Sequence, residues 1–280
     1  MISGFAKGKI ELPNLPKEIT KDEYSTNCSM FIHDGALMVC GGGTNMYYVG
    51  NYGIAEPWKC FQLDNGIWKE HSTLNQKRGC SAIVTTNKGT FVFGGNQFSK
   101  SYEYLPMGSN KWKNGKPGRL PGGIYDACAI EVKSKQEIWL IGGNPKTKRI
   151  LSFDVNSHTS KVLPFKLINE RENHACAFIP GTSKILVTGG ISGVIHQRSC
   201  EVIDTENGTV KMASDMNYAR CSHGMGVINV NGEERLAVFG GTDGYAHDSI
   251  ELYNPKTQKW ELAKDLAIDI PRSSFGFTNI

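Results

Sequence analysis

Apolar residues in this chain come in runs of four to six, separated by glycines and polar turns, and no stretch repeats its apolar positions at helical spacing. The segment Arg220–Trp260 shows the unit most fully. An apolar run (Gly224–Ile228) leads to an Asn231-Gly232 turn and a second run (Leu236–Phe239). Gly240-Gly241, a polar loop, a third run (Ile250–Tyr253), an Asn254-Pro255 turn and Trp260 follow. This order predicts four short antiparallel strands joined by hairpins.

The unit recurs. Double glycines stand at Gly42-Gly43, Gly94-Gly95, Gly142-Gly143, Gly189-Gly190 and Gly240-Gly241, each closing an apolar run. The second glycines are spaced by 52, 48, 47 and 51 residues. One such pair is a common hairpin feature; five in one context, at a period of about 50, predict a repeat fold. Arg220-x-x-His223, the double glycine, Tyr253 and Trp260 together resemble a kelch repeat, and the resemblance extends over nearly the whole chain. It implies a β-propeller with one four-stranded blade per repeat. The late tryptophan appears as Trp68, Trp112 and Trp260, with Val162 and Val210 near that place in the third and fourth repeats. The early arginine appears as Arg78, Arg171, Arg220 and Arg272, with Gly123 in its place in the third repeat and Arg119 nearby. A blade with two apolar faces must stack on neighbours, so closing a ring of blades is the physical solution.

The expected organisation is one all-β domain over residues 1–280. Five full repeats run at about 25–70, 78–120, 123–165, 171–214 and 220–264. The flanking segments 1–16 and 272–280 resemble outer strands and an inner strand, respectively. They suggest six blades, the last a composite of both ends; five blades is the alternative.

Composition narrows the function. Net charge is +4, mildly basic and without the clustered Lys/Arg of a nucleic-acid surface. No run approaches the ~20 apolar residues of a membrane span, and the first residues lack the apolar core of a secretory signal. A cytoplasmic location follows as the expectation. Eight cysteines include no C-x-x-C pair, so zinc is not indicated. The five near first strands (Cys28, Cys80, Cys128, Cys176 and Cys221) read as buried reduced thiols, and only Cys128 and Cys176 share a register. No metal or cofactor is expected.

The loop after each second strand and the segment entering each first strand open on one face of the disk. In proteins that kelch propellers resemble, that face commonly binds partners. The entering segments supply Arg78, Tyr125, Arg171, His174, Arg220, His223 and Arg272. The other loops supply Tyr47, Tyr48, Tyr52, Arg198 and Tyr245. Arginines at one repeat position either tie blades together through backbone carbonyls or line a pocket for carboxylate or phosphate. Asp126, Glu172 and Asp269 are the carboxylates near them in sequence. His174 and His223 share a position, as packed histidines or as a metal pair.

The resemblance implies a protein–protein interaction module, such as a substrate-recognition or actin/cytoskeletal adaptor. A protein partner is expected, an acidic segment being compatible with the arginines, and nucleic acid and membrane are not. Reversing Arg171 and Arg220 to Glu is expected to abolish partner capture with the fold intact. The alternative is a propeller enzyme, galactose-oxidase-like or sialic-acid-epimerase-like, although no nucleophile elbow, phosphate loop or paired-carboxylate motif stands in the sequence.

Overall fold

The computed structural model describes residues 28–41, 59–95, 99–115, 120–268, 271 and 273. They form five four-stranded antiparallel sheets, each meandering outward in chain order. Blade 1 holds β1 (Cys28–His33), β2 (Ala36–Gly41), β3 (Lys59–Asp64) and β4 (Ile67–Thr73). Blade 2 holds β5 (Ala82–Thr86), β6 (Gly89–Phe93), β7 (Tyr102–Pro106) and β8 (Lys113–Asn114). Blade 3 holds β9 (Cys128–Val132), β10 (Glu137–Ile141), β11 (Arg149–Asp154) and β12 (Ser160–Lys166). Blade 4 starts with β13 (Ala175–Phe178) and β14 (Lys184–Thr188), carries a separate small hairpin of β15 (Ile191–Ser192) and β16 (Ile195–His196), and finishes with β17 (Cys200–Asp204) and β18 (Val210–Ala213). Blade 5 holds β19 (Gly224–Val230), β20 (Glu233–Phe239), β21 (Ser249–Asn254) and β22 (Lys259–Ala267).

Among the described residues the architecture is a β-propeller of five blades, the alternative count that the sequence allows. The composite blade expected from 1–16 and 272–280 lies outside the described residues. Hairpin chemistry is local: Asp34-Gly35, Asn65-Gly66 and Asn231-Gly232 each place both turn residues at positive φ. That is the geometry whose twist matches the flanking strands.

Period-two alternation explains how the blades stack. In β6, Phe91 and Phe93 face blade 3, where they meet Ile138, Leu140 and Phe153. Between them Val92 faces blade 1, with Met38, Cys40 and Trp112. In blade 3, Trp139 and Ile141 turn the other way onto Ile185, Val187 and Ile203 of blade 4. Leu186 then meets Leu236 and Val238 of blade 5. Each middle strand is therefore apolar at consecutive positions, because both of its faces are covered.

Aromatic placement corrects one sequence alignment. Trp260 pairs with Tyr253 and Val210 with Ile203, whereas the residue opposite Phe153 is Ser160; Val162 sits opposite Leu151 and is exposed. The aromatic position on the inter-blade surface is filled from two residues earlier. His158 adopts a positive φ and sets its ring among Phe91, Tyr102, Tyr104 and Phe153, with Nδ1 3.0 Å from the Tyr102 hydroxyl.

The expectation of reduced thiols is overturned for Cys128 and Cys176, whereas Cys80 and Cys221 are free. Cys40 and Cys60 are cross-strand partners in β2 and β3, with Cα atoms 4.1 Å apart, and form a disulfide. Cys128 and Cys176 lie on the innermost strands of blades 3 and 4, with Cα atoms 6.0 Å apart, and form a second. Direct opposition and shared register bring each pair within bonding reach. Cys80, Cys200 and Cys221 are free.

Candidate functional site

Three of the sequence-selected arginines are structural. Arg78 donates from Nε to Glu103 (2.9 Å), Arg171 from Nη2 to Glu201 (2.7 Å), and Arg220 from Nε to Glu251 (3.2 Å). Each Nη1 also reaches the carbonyl of the first glycine of its own blade's pair: Gly94, Gly189 or Gly240. Each Nη2 reaches the hydroxyl of Ser101, Ser199 or Ser249, respectively. The glutamates accept further bonds from the segment entering the blade, through the N–H groups of Asn75 and Gln76, Ile168 and Asn169, and Asn217 and Tyr218. All six ionised side chains are buried. Each pair thus locks the entering segment, the double-glycine turn and the third strand into one block. The partners are these third-strand glutamates rather than Asp126 or Glu172.

Blade 3 lacks the pair. By backbone register Leu151 holds the glutamate's place, since Leu140–Leu151 corresponds to Val92–Glu103. Ile124, not Gly123, holds the arginine's place: its carbonyl accepts from Gly95 N as those of Arg171 and Arg220 accept from Gly143 N and Gly190 N. Ile124 and Leu151 are buried in one apolar cluster. Both charges are replaced together, the substitution that a buried ion pair tolerates. The same carbonyl contacts explain the double glycine. A Cβ at Gly189, where φ is +61°, would stand 2.3 Å from the Arg220 oxygen.

Two residues beyond the arginine position a second device joins the blades. Cys80, Asp126, Asn173 and Ser222 all have φ near +50°, from +52° to +55°. Asp126 N donates to Cys80 O (2.9 Å), Asn173 N to Asp126 O (3.0 Å) and Ser222 N to Asn173 O (2.8 Å). This backbone girdle runs through four successive blades. Burial pushes the Asp126 carboxyl up to about 6; bonds from Cys80 and Asn173 hold it back, and the Glu172 charge adds to the rise.

His174 and His223 are buried between blades. Burial drives both imidazoles down to about 3, and the neighbouring guanidiniums add to the shift, so both are neutral packing groups. His223 Nε2 lies 2.8 Å from the Thr188 hydroxyl. Among the described residues no three His, Cys, Asp or Glu side chains group as metal ligands. Tyr125 is half-buried and exchanges backbone bonds with Asn144. Tyr47, Tyr48, Tyr52 and Arg272 lie outside the described residues, as do Arg119 and Asp269.

Among the described residues, the large apolar side chains exposed on the loop face lie on blades 4 and 5. The β15–β16 hairpin pairs with the segment entering blade 4 through Glu172 and Ile191, and with the segment entering blade 5 through Gln197 O to Arg220 N (3.0 Å) and Arg198 O to Met216 N (2.9 Å). Tyr218 of that second segment stacks on His247 at 5.5 Å, and His247 N donates to Gly241 O. On this frame Val194, Ile195, Tyr218 and Tyr245 are 91, 68, 42 and 85 % exposed. Arg198 lies beside them, 3.3 Å from Asp215. The structure therefore gathers Arg198 and Tyr245 on one surface and withdraws Arg78, Arg171, Arg220, His174 and His223 into the scaffold. Sequence reasoning missed the three glutamates, although each is a carboxylate set among the apolar residues of a third strand. It also missed Val194 and Ile195, an apolar dipeptide at the tip of a hairpin loop.

No curated protein shows significant similarity to the chain. The family model of the KLHDC2/KLHL20/DRC7 Kelch-repeats domain matches residues 79–279. With the repeated Arg–Glu locks and double-glycine turns already in view, that match over most of the length means that the chain belongs to the Kelch-repeat β-propeller family.

Proposed function

We propose that this Kelch propeller is a protein–protein interaction module, of the substrate-recognition or cytoskeletal-adaptor kind, and that it docks its partner on the loop face of blades 4 and 5. The observation that carries the reading is the exposure of Val194, Ile195, Tyr218 and Tyr245 on three adjoining segments held by the Arg171–Glu201 and Arg220–Glu251 locks. Exposed aliphatic and aromatic side chains on a rigid frame bury apolar area on binding with little ordering cost. The central arginines do not contribute to this surface, because their charges are matched inside the blades.

The test is affinity capture from native extract with the wild type beside a Val194→Ser/Tyr245→Ser variant, both checked for equal urea midpoints. Both substitutions fall on exposed side chains, so the fold is expected to hold. Partners captured by the wild type and lost by the variant support the reading. Equal capture by the two proteins removes this face from the function.

A further inference from the structure

We infer that the blade 4–blade 5 face selects an extended partner segment that places Lys or Arg side chains beside an aliphatic or aromatic anchor. The inference rests on the docking reading above and adds the sign of the partner's charge, which is opposite to the acidic segment that the arginine pattern suggests.

Negative charge is left over on this face once the scaffold is satisfied. Arg171 and Arg220 are neutralised by Glu201 and Glu251 in sealed sites, so neither presents positive charge to a ligand. The segments that frame the exposed apolar groups carry carboxylates instead. Glu170 and Glu172 enter blade 4, and the Glu170 carboxylate accepts from the Ser192 hydroxyl at the base of the hairpin (3.2 Å). Asp215 enters blade 5, and Asp243 and Asp248 flank Tyr245 and His247. Against these five stands one exposed guanidinium, Arg198, which already faces Asp215. Lys146, at the blade 3 border, interacts with Glu172 from the far side. Burial holds the Glu172 carboxyl above its ordinary range and the Glu170 charge adds to the rise, while the bond from Asn144 and the Lys146 charge hold it back.

Apolar anchors with an excess of carboxylates around them match a partner with apolar anchors and positive charge. The charges sit at the rim, where they set selection and association rate more than total affinity. Several rim pairs worth a fraction of a kcal/mol each give about tenfold discrimination between segments of opposite charge.

The experiment uses three fluorescein-labelled synthetic peptides with the same leucine–tryptophan core, flanked by lysine, serine or glutamate. Binding to the full chain is read by fluorescence anisotropy at low and high salt. The expected order is lysine tighter than serine tighter than glutamate, with a spread of about tenfold that collapses at high salt. In Glu170→Gln/Asp243→Asn the spread narrows; in Val194→Ser/Tyr245→Ser all three peptides weaken together. A glutamate peptide that binds as well as the lysine peptide, a spread insensitive to the Glu170→Gln/Asp243→Asn change, or no binding of the lysine peptide overturns the inference. The docking reading is judged separately, by native-partner capture with the Val194→Ser/Tyr245→Ser variant, so either can fail alone.

Discussion

Arg220 offers the sharpest test of what holds a blade together. In Arg220→Met the Glu251 carboxylate keeps its bonds from Asn217 N and Tyr218 N but loses the guanidinium in a site with no access to water. The Gly240 carbonyl and the Ser249 hydroxyl lose the guanidinium's bonds as well, and the Ser249 carbonyl is left with Gly240 N alone. Removing one partner of a buried pair costs about 3–5 kcal/mol, a large share of the roughly 5–15 kcal/mol available to a folded protein. The double variant Arg220→Met/Glu251→Leu replaces both charges with apolar groups, as Ile124 and Leu151 do in blade 3. It removes the stranded charge but leaves the two N–H groups without their acceptor, at about 1–3 kcal/mol each when buried. The double variant is therefore expected to be no less stable than Arg220→Met, with a coupling energy on the order of 1–3 kcal/mol in a full cycle with Glu251→Leu. Urea unfolding followed by tryptophan fluorescence measures all four proteins. A loss below about 1 kcal/mol for Arg220→Met, or strict additivity, refutes the lock. The same geometry corrects the expectation that Arg171 and Arg220 can be reversed to Glu with the fold intact: reversal would set two carboxylates against each other in a sealed site.

Two further outcomes follow from buried titration and from the cysteines. His174 and His223 have folded values near 3, below the ordinary 6.5. The unfolded chain therefore binds more protons in that window, and stability is full above about pH 6.5 and falls on acidification at up to about 1.4 kcal/mol per pH unit for each histidine. Asp126 works in the other direction. Its raised value near 6 makes the folded state take up a proton first, so acidification through pH 6 to 4 relieves a cost. Urea midpoints between pH 7.5 and 4.5 should fall in the wild type and fall more steeply in Asp126→Asn; a flat profile, or a shallower one in the variant, contradicts these assignments. For the cysteines, alkylation of freshly isolated, denatured, unreduced protein should leave Cys40, Cys60, Cys128 and Cys176 unlabelled. Disulfides persist in oxidising compartments, so full labelling of those four would favour the cytoplasmic placement that the sequence suggested.

The fold was legible because its determinants are local and repeated. Double glycines are required where a blade turn meets the next blade's backbone, and Asn231-Gly232 sets a hairpin without help from the rest of the chain. The site was legible only in part, because one letter carries different meanings in different surroundings. Arg220 and Arg198 are both arginines near a loop, yet the first is sealed against Glu251 and the second stands in solvent beside Asp215. The difference lies with Glu251, which is 31 residues from Arg220 in sequence and becomes its neighbour only through the β20–β21 pairing. His158 shows the same limit. Its role in place of a tryptophan depends on a positive φ and on rings contributed by the preceding blade.

This division between sealed and exposed charge bears on how the propeller can vary without unfolding. In blades 2, 4 and 5 the structural work falls on Arg–Glu–Gly–Ser contacts beneath the loops, and in blade 3 on Ile124 and Leu151. The tip of the β15–β16 hairpin and the loop around Tyr245 contribute almost nothing to that work, since Val194, Ile195 and Tyr245 are mostly in solvent. Substitutions there are nearly neutral for stability and free to change what is bound. A search for specificity should therefore begin at residues 193–198 and 243–248, and treat the repeat arginines, prominent as they are in the sequence, as the frame that keeps those loops in place.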